Sequence, residues 1–466
     1  MVKRFGLWSG ISLTLLAAVL MASAAPAFAQ EQKDGGPKPM LEEIHKQEVA
    51  PQQEEGAGQL IRKEEPATHL CAGCLSAIYT EGSKGSITPY GRIELDAIYS
   101  SRNNNPLDPG QFNGYATAAG KGNNATATLN PRYSVFGIRA DRTDGKHSLT
   151  GVVEVDFYGQ TDNAGNIPPR LRLAFVKYTN DKTSLTAGMD WTPIMSLHPD
   201  LIDFSIMGYG GNLWQRLPQV TVRHQFNQNI EGLVTVMRFE RGLSACCGNT
   251  QTRPTTIPSG QVGGGPTNVA PFNDPVQNPY YGGRLAYTGT GNLQGSMLAA
   301  SVGYRYYRSA PITGSAFQSG RDINSYLFGI EAVHPFTKNL KFSGEIAYGQ
   351  AMGVEFFRFN QELNLTTGKP VRALVGWGQL SYAPSHSPST FLVGYGFDNP
   401  NKGDLSGSTT ASNIQYLSNQ RMYATYVRPI WADFYFGAEF QNLWTQWTTM
   451  ERFSGQQYNM SVWYNF

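Results

Sequence analysis

The final nine residues, Tyr458-Asn-Met-Ser-Val-Trp-Tyr-Asn-Phe466, constrain the fold more than any other stretch. Tyr458, Met460, Val462, Tyr464 and Phe466 alternate with Asn459, Ser461, Trp463 and Asn465. Successive side chains of a strand point to opposite faces, so the segment has one wholly apolar-aromatic face and one mostly polar face. A strand in the wall of a lipid-embedded barrel needs that division, apolar toward the acyl chains and polar toward a wet interior. An amphipathic edge strand of a soluble sheet would share the pattern, and the rest of the chain decides between the two.

The other end points to export. Lys3 and Arg4 precede an apolar run from Leu7 to Met21, and Ala27-Phe28-Ala29 supplies a small-residue cleavage pattern before Gln30. Residues 1–29 therefore read as a secretory signal peptide. No later stretch holds the 18 or so uninterrupted apolar residues of a spanning helix. For an exported membrane protein without helical spans, a closed barrel is the architecture that satisfies every backbone polar group in lipid.

Composition agrees. Charged residues make up 15% of the chain against a usual quarter, and aromatics reach 12%. A net charge of +2 offers no electrostatic case for nucleic-acid binding. Residues 30–86 are rich in Gln, Glu, Lys and Pro and hold too few apolar side chains for a core, which predicts a flexible periplasmic extension. Cys71 and Cys74 lie in it as C-x-x-C. Without a second ligand pair at metal spacing we read them as a local disulfide in an oxidising compartment, not as a metal site. Cys246-Cys247, in a Gly- and Pro-rich loop, receives no chemistry.

From residue 87 to 466 the chain divides into about sixteen strand-length segments, and their connections alternate short and long. The short ones are turn-like, as at Asp144-Gly145, Asn180-Asp181-Lys182 and Thr337-Lys-Asn339. Short periplasmic turns and long extracellular loops characterise outer-membrane barrels. The expected fold is all-β: a transmembrane antiparallel barrel of about 16 strands, wide enough for an aqueous channel. The third long loop, 191–218, carries Trp191, Ile194, Met195, Leu197, Leu201, Ile202, Phe204 and Trp214, too apolar for a solvated loop. We expect it to fold inward, with Asp200, Asp203 and Arg216 near a constriction.

Charges on the polar faces are candidate lumen residues, because an arginine at the lipid midplane costs about 2–4 kcal/mol. Arg92, Arg139, Arg170, Arg172, Arg223, Arg284, Arg305 and Arg372 are the basic candidates. Glu94, Glu154, Asp156, Asp190, Glu331, Glu345 and Glu439 are the acidic ones. Arg170 and Arg172 are assigned to the lumen by placing Leu171, Leu173 and Phe175 on the opposite face. Such charges bias ion passage without catalysis. The seven histidines show no nucleophile motif, so an enzyme is the weaker alternative, with a structural or adhesion barrel beside it. No cofactor is expected.

Leu129-Asn-Pro-Arg-Tyr-Ser-Val-Phe-Gly-Ile-Arg139, Gly151-Val-Val-Glu-Val-Asp-Phe-Tyr158, Arg170-Leu-Arg-Leu-Ala-Phe-Val176 and Ala187-Gly-Met-Asp-Trp-Thr192 resemble the DcaP-type trimeric porins in order and content, over the first third of the barrel. Tyr90-Gly-Arg-Ile-Glu-Leu-Asp-Ala-Ile-Tyr99 is similar to that family's first strand. The resemblance implies a homotrimer in the outer membrane of a Gram-negative-type bacterium that passes small anionic solutes, and a channel lined by Arg132, Arg139, Arg170 and Arg172. The C-terminal Phe466 resembles the signal read by the barrel-assembly machinery. The extension departs from the family pattern, which has a coiled coil there.

Overall fold

The computed structural model describes residues 78–79, 85–101, 125–158, 167–238, 278–308, 322–352, 356, 364, 367, 369–405, 416–447 and 452–466. Cys71, Cys74, Cys246, Cys247 and nearly all of the 30–86 extension lie outside these residues. Among the described residues the strands are β1 (Ile78–Tyr79), β2 (Gly85–Ser100), β3 (Thr126–Asn130), β4 (Val135–Asp144), β5 (His147–Asp156), β6 (Arg170–Asn180), β7 (Thr183–Trp191), β8 (Arg216–Gln225) and β9 (Ile230–Met237). They continue with β10 (Tyr280–Thr288), β11 (Met297–Arg308), β12 (Asp322–Pro335), β13 (Leu340–Gln350), β14 (Arg372–Tyr382), β15 (Thr390–Pro400), β16 (Tyr416–Trp431), β17 (Phe434–Trp447) and β18 (Arg452–Asn465).

From β4 onward each strand pairs antiparallel with the next, and β18 pairs with β2, closing the sheet. β3 and β4 both pair with β2 and form one wall strand broken at Pro131–Ser134. With β1 a two-residue addition on the start of β2, the wall has sixteen strands, as the strand-length segments predict. β2, the first full wall strand, begins at Gly85. β11 starts at Met297, after Gly291–Leu293 form a 3-10 turn with Gly291 at φ +61. Closure removes sheet edges, which lipid would not tolerate.

Alternation sorts the wall into two faces. In β2, Thr88, Tyr90, Arg92, Glu94, Asp96, Ile98 and Ser100 are buried, while Ile87, Ile93, Leu95 and Tyr99 are exposed. In β18 the exposed set is Tyr458, Met460, Val462 and Tyr464, and Gln457, Asn459, Ser461 and Trp463 are buried. Large apolar side chains left exposed on nearly every strand form the outward band that a bilayer covers. Polar side chains crowd the inner face.

The structure corrects two assignments. Opposite Glu154 and Val155 the β5–β6 register slips by one residue, leaving Arg172 as the extra residue of a β-bulge. The slip resets the alternation. Leu171 points outward, but Leu173 is buried and packs with Tyr90, Val152 and Phe175 inside the wall. Leu173 and Phe175 therefore do not share the lipid face with Leu171, although Arg170 and Arg172 still share the inner face. A second correction concerns Arg372. It occupies the outward register of β14, where Ala373, Val375 and Trp377 are the buried set, and it binds Asp404 through two nitrogens at 2.8 Å.

Candidate functional site

β5 and β6 build the centre of the inner face. Asp156 accepts from Arg170 Nε at 2.9 Å and Arg170 Nη2 at 2.6 Å, from Arg172 Nη1 at 3.4 Å, and lies 4.0 Å from Arg216 Nη1. Glu154 accepts from Arg172 Nε at 2.6 Å and from the Tyr90 hydroxyl at 3.0 Å. On β2, across β4 from β5, Arg92 lies 3.0 Å from Glu94. The bulge is what lets Arg172 reach both carboxylates of β5, one on each side of the register slip. Removing one partner of such a buried pair leaves an uncompensated charge, which typically costs about 3–5 kcal/mol.

Aromatic rings are interleaved with these guanidiniums. The planes of Tyr158 and Phe204 stack at 3.7 Å between centroids, and Tyr133 meets Phe204 edge-on at 5.0 Å. Arg92 lies 4.6 Å over Tyr133, Arg132 lies 4.9 Å over Tyr158, and Arg170 lies 5.5 Å from Phe204. Arg132 also donates Nε to the Phe157 carbonyl at 2.9 Å. Cation–π contact holds each guanidinium plane in place without consuming its charge. Five arginines (Arg92, Arg132, Arg170, Arg172 and Arg216) thus gather with four carboxylates (Glu94, Asp96, Glu154 and Asp156).

Phe204 enters this cluster from the segment that joins β7 to β8. Nearly every residue from 192 to 215 is buried, including Ile194, Met195, Leu197, Leu201 and Met207. Its polar backbone bonds to inward side chains of distant strands. Glu331 of β12 accepts from the Met195 and Ser196 amides, both at 3.1 Å. Gln379 of β14 accepts from Asp200, Glu439 of β17 from Ile202, and Glu345 of β13 from Leu213. Asp203 receives Arg421 Nη1 of β16 at 3.0 Å, and Asn419 donates to the Tyr209 carbonyl. An irregular segment carries backbone groups that must be satisfied when buried, and here wall side chains satisfy them.

Glycines on the inner face make room for it. A Cβ on Gly329 would collide with the Met195 sulfur, one on Gly396 with the Gly210 carbonyl, and one on Gly437 would stand 3.0 Å from Ile202. The segment also holds Met195, Ile206, Met207 and Tyr209 at positive φ, +38 for the β-branched Ile206. That conformation is costly for such residues and persists only where surroundings impose it.

Among the sequence candidates, Arg132, Arg170 and Arg172 come together. Arg139 and Arg223 lie toward the short-turn end, paired with Asp141 and Glu231. Arg305 is buried on β11 over Tyr307 at 4.8 Å. Asp200 and Asp203 contact Gln379 and Arg421, whereas Arg216 approaches Asp156 instead. Sequence reasoning missed Arg421, the Tyr133–Tyr158–Phe204 stack and the glycine seats. Inward positions of otherwise regular strands occupied by Gly were the available signal.

Together the closed wall, the satisfied internal segment and the arginine-rich interior define the porin fold. No protein-family model matches the sequence, and no curated protein is significantly similar to it. Among solved structures it is similar to the outer membrane channel DcaP of Acinetobacter baumannii, at 15% identity and a TM-score of 0.64, over 84% of this chain and 100% of that one. It is also similar to OmpF of Salmonella typhi, at 10% identity and a TM-score of 0.52, over 84% of this chain and 100% of that one.

Proposed function

We propose that the chain is an outer-membrane porin that passes small hydrophilic solutes by passive diffusion and favours anions. The 192–215 segment narrows the channel, and the buried Arg92–Arg132–Arg170–Arg172–Arg216 cluster beside it sets the charge of the adjoining wall, with Arg170 its least buried member. The carrying observation is the surplus of guanidiniums over carboxylates around Asp156, each stacked on a ring or paired at one edge. A planar guanidinium held in that way keeps donors in a fixed fork suited to carboxylate or phosphate. Fixed charge at a narrow passage biases ion flow without specific catalysis. The similarity to DcaP and OmpF supports the channel architecture, and the residue resemblance supports a homotrimer. The test is planar-bilayer recording in asymmetric potassium chloride. A reversal potential of anion-selective sign is expected; one of cation-selective sign would sink the anion preference while leaving the pore intact.

A further inference from the structure

Three of the five described histidines repeat one local arrangement on the outward face, and the channel makes no use of it. His147 opens β5, His224 lies near the end of β8, and His334 near the end of β12. All three are at the barrel end that carries the short turns. Each shares the outward register with apolar residues: His147 with Leu149 and Val153, His224 with Val222 and Val220, His334 with Ile330 and Phe328. The three imidazoles therefore stand near the short-turn end of the outward face, with the exposed Phe226 and Phe336 two positions beyond His224 and His334.

In each unit a neighbouring hydroxyl engages Nδ1. The Tyr178 hydroxyl is 2.7 Å from His147 Nδ1, Thr183 Oγ1 is 2.8 Å from His224 Nδ1, and Ser296 Oγ is 2.9 Å from His334 Nδ1. Each ring also packs on an aromatic: Tyr178 stacked at 5.9 Å, Phe226 edge-on at 4.9 Å, and Phe336 edge-on at 5.1 Å. These aromatics are 41%, 57% and 43% exposed, so the protein alone does not cover them. With a hydroxyl donating to Nδ1, the ring proton resides on Nε2; in the charged ring Nε2 carries a proton as well. No hydrogen bond to Nε2 is found in these three rings among the described residues.

We propose that His147, His224 and His334 are phospholipid headgroup sites, each donating Nε2–H to a phosphodiester oxygen of the periplasmic leaflet. The occupant follows from that position. The apolar band above each ring takes acyl chains, and the layer immediately beyond acyl chains is headgroup phosphate. The exposed Tyr178, Phe226 and Phe336 rings sit where interfacial aromatics of membrane barrels are found. The inference rests on the outer-membrane reading and extends it to a specific lipid contact.

The test uses the whole protein, delipidated in detergent, titrated with phosphatidylglycerol and followed by native mass spectrometry. The variants are His147→Leu, His224→Leu and His334→Leu, singly and combined, with His→Gln at each site as the conservative rescue because its amide nitrogen still donates. Each Leu change should weaken the tightly held lipid roughly tenfold, about what one hydrogen bond to a charged group is worth. Gln should restore most of it, and diacylglycerol, lacking phosphate, should not discriminate among the variants. Equal phosphatidylglycerol retention by wild type and the Leu variants would overturn the proposal. So would loss of oligomer with lipid retention unchanged, which would make the histidines subunit contacts. Channel conductance of the same samples checks the outer-membrane porin reading separately. If the triple variant fails to assemble, the single variants carry the comparison.

Discussion

Arg172 and Leu173, adjacent in sequence, both point into the barrel, because the bulge opposite Glu154 and Val155 inserts Arg172 as an extra residue. A regular strand would send one of them into lipid. The bulge places three β6 side chains, Arg170, Arg172 and Leu173, inside within four residues, and it lets two arginines share Asp156. The placement of these buried charges on the inner face therefore hangs on a local backbone irregularity.

The paired change Arg170→Ala with Arg172→Ala should move the reversal potential toward cations, since Glu154 and Asp156 then lose their principal counter-charges. It should also lower stability by roughly 3–5 kcal/mol per broken buried pair. Adding Glu154→Gln and Asp156→Asn should recover much of that stability and return the potential toward neutral. Bilayer recordings and thermal unfolding on the two variants separate charge from packing. No change in reversal potential for the double variant would mean that these arginines serve the wall alone.

Gly329→Leu should displace the 192–215 segment, because the new side chain needs the space of the Met195 sulfur. Overpacking of this kind commonly costs about 1–3 kcal/mol. The barrel should still form, since its own ladder is untouched, and single-channel conductance should change. Unaltered conductance with an assembled barrel would remove the segment from the constriction.

Phe466 is held to β2 through Gly91 by paired backbone hydrogen bonds, both 3.0 Å, and its ring lies where a Gly91 Cβ would stand, 2.6 Å away. Gly91→Val should therefore weaken seam closure in the same direction as deletion of Phe466. Both should reduce the heat-modifiable form on a gel. Normal levels for the deletion would remove the terminal residue from assembly.

Asp404 receives the Arg372 guanidinium, and that hydrogen bond holds its carboxyl below the ordinary aspartate value. A carboxyl depressed on folding contributes stability above its unfolded value, near pH 3.9, and loses it as pH falls through the folded value. Amide protection in residues 401–405, taken relative to the intrinsic exchange rate at each pH, should fall as pH is taken below about 4, and Asp404→Asn should show reduced protection already at neutral pH. Identical exchange in the variant at neutral pH would make the pair incidental.

The sequence alone determined the barrel, its strand number and the direction of most side chains. Those follow from period-two alternation and from turn chemistry, both local and both written out in segments such as 456–466. The C-terminal face of Tyr458, Met460, Val462 and Tyr464 needed no partner to be assigned. What tertiary structure alone decided was the bulge at Arg172, the outward place of Arg372, and the contacts of residues 192–215. Each depends on register between strands or on residues more than a hundred positions apart, as with Met195 and Glu331. Alternation says which way a side chain points only until an inserted residue resets the count. An apolar loop announces that it must be buried but not against which wall, because inward Gly, Gln and Glu look the same in sequence whether they meet water or a buried segment.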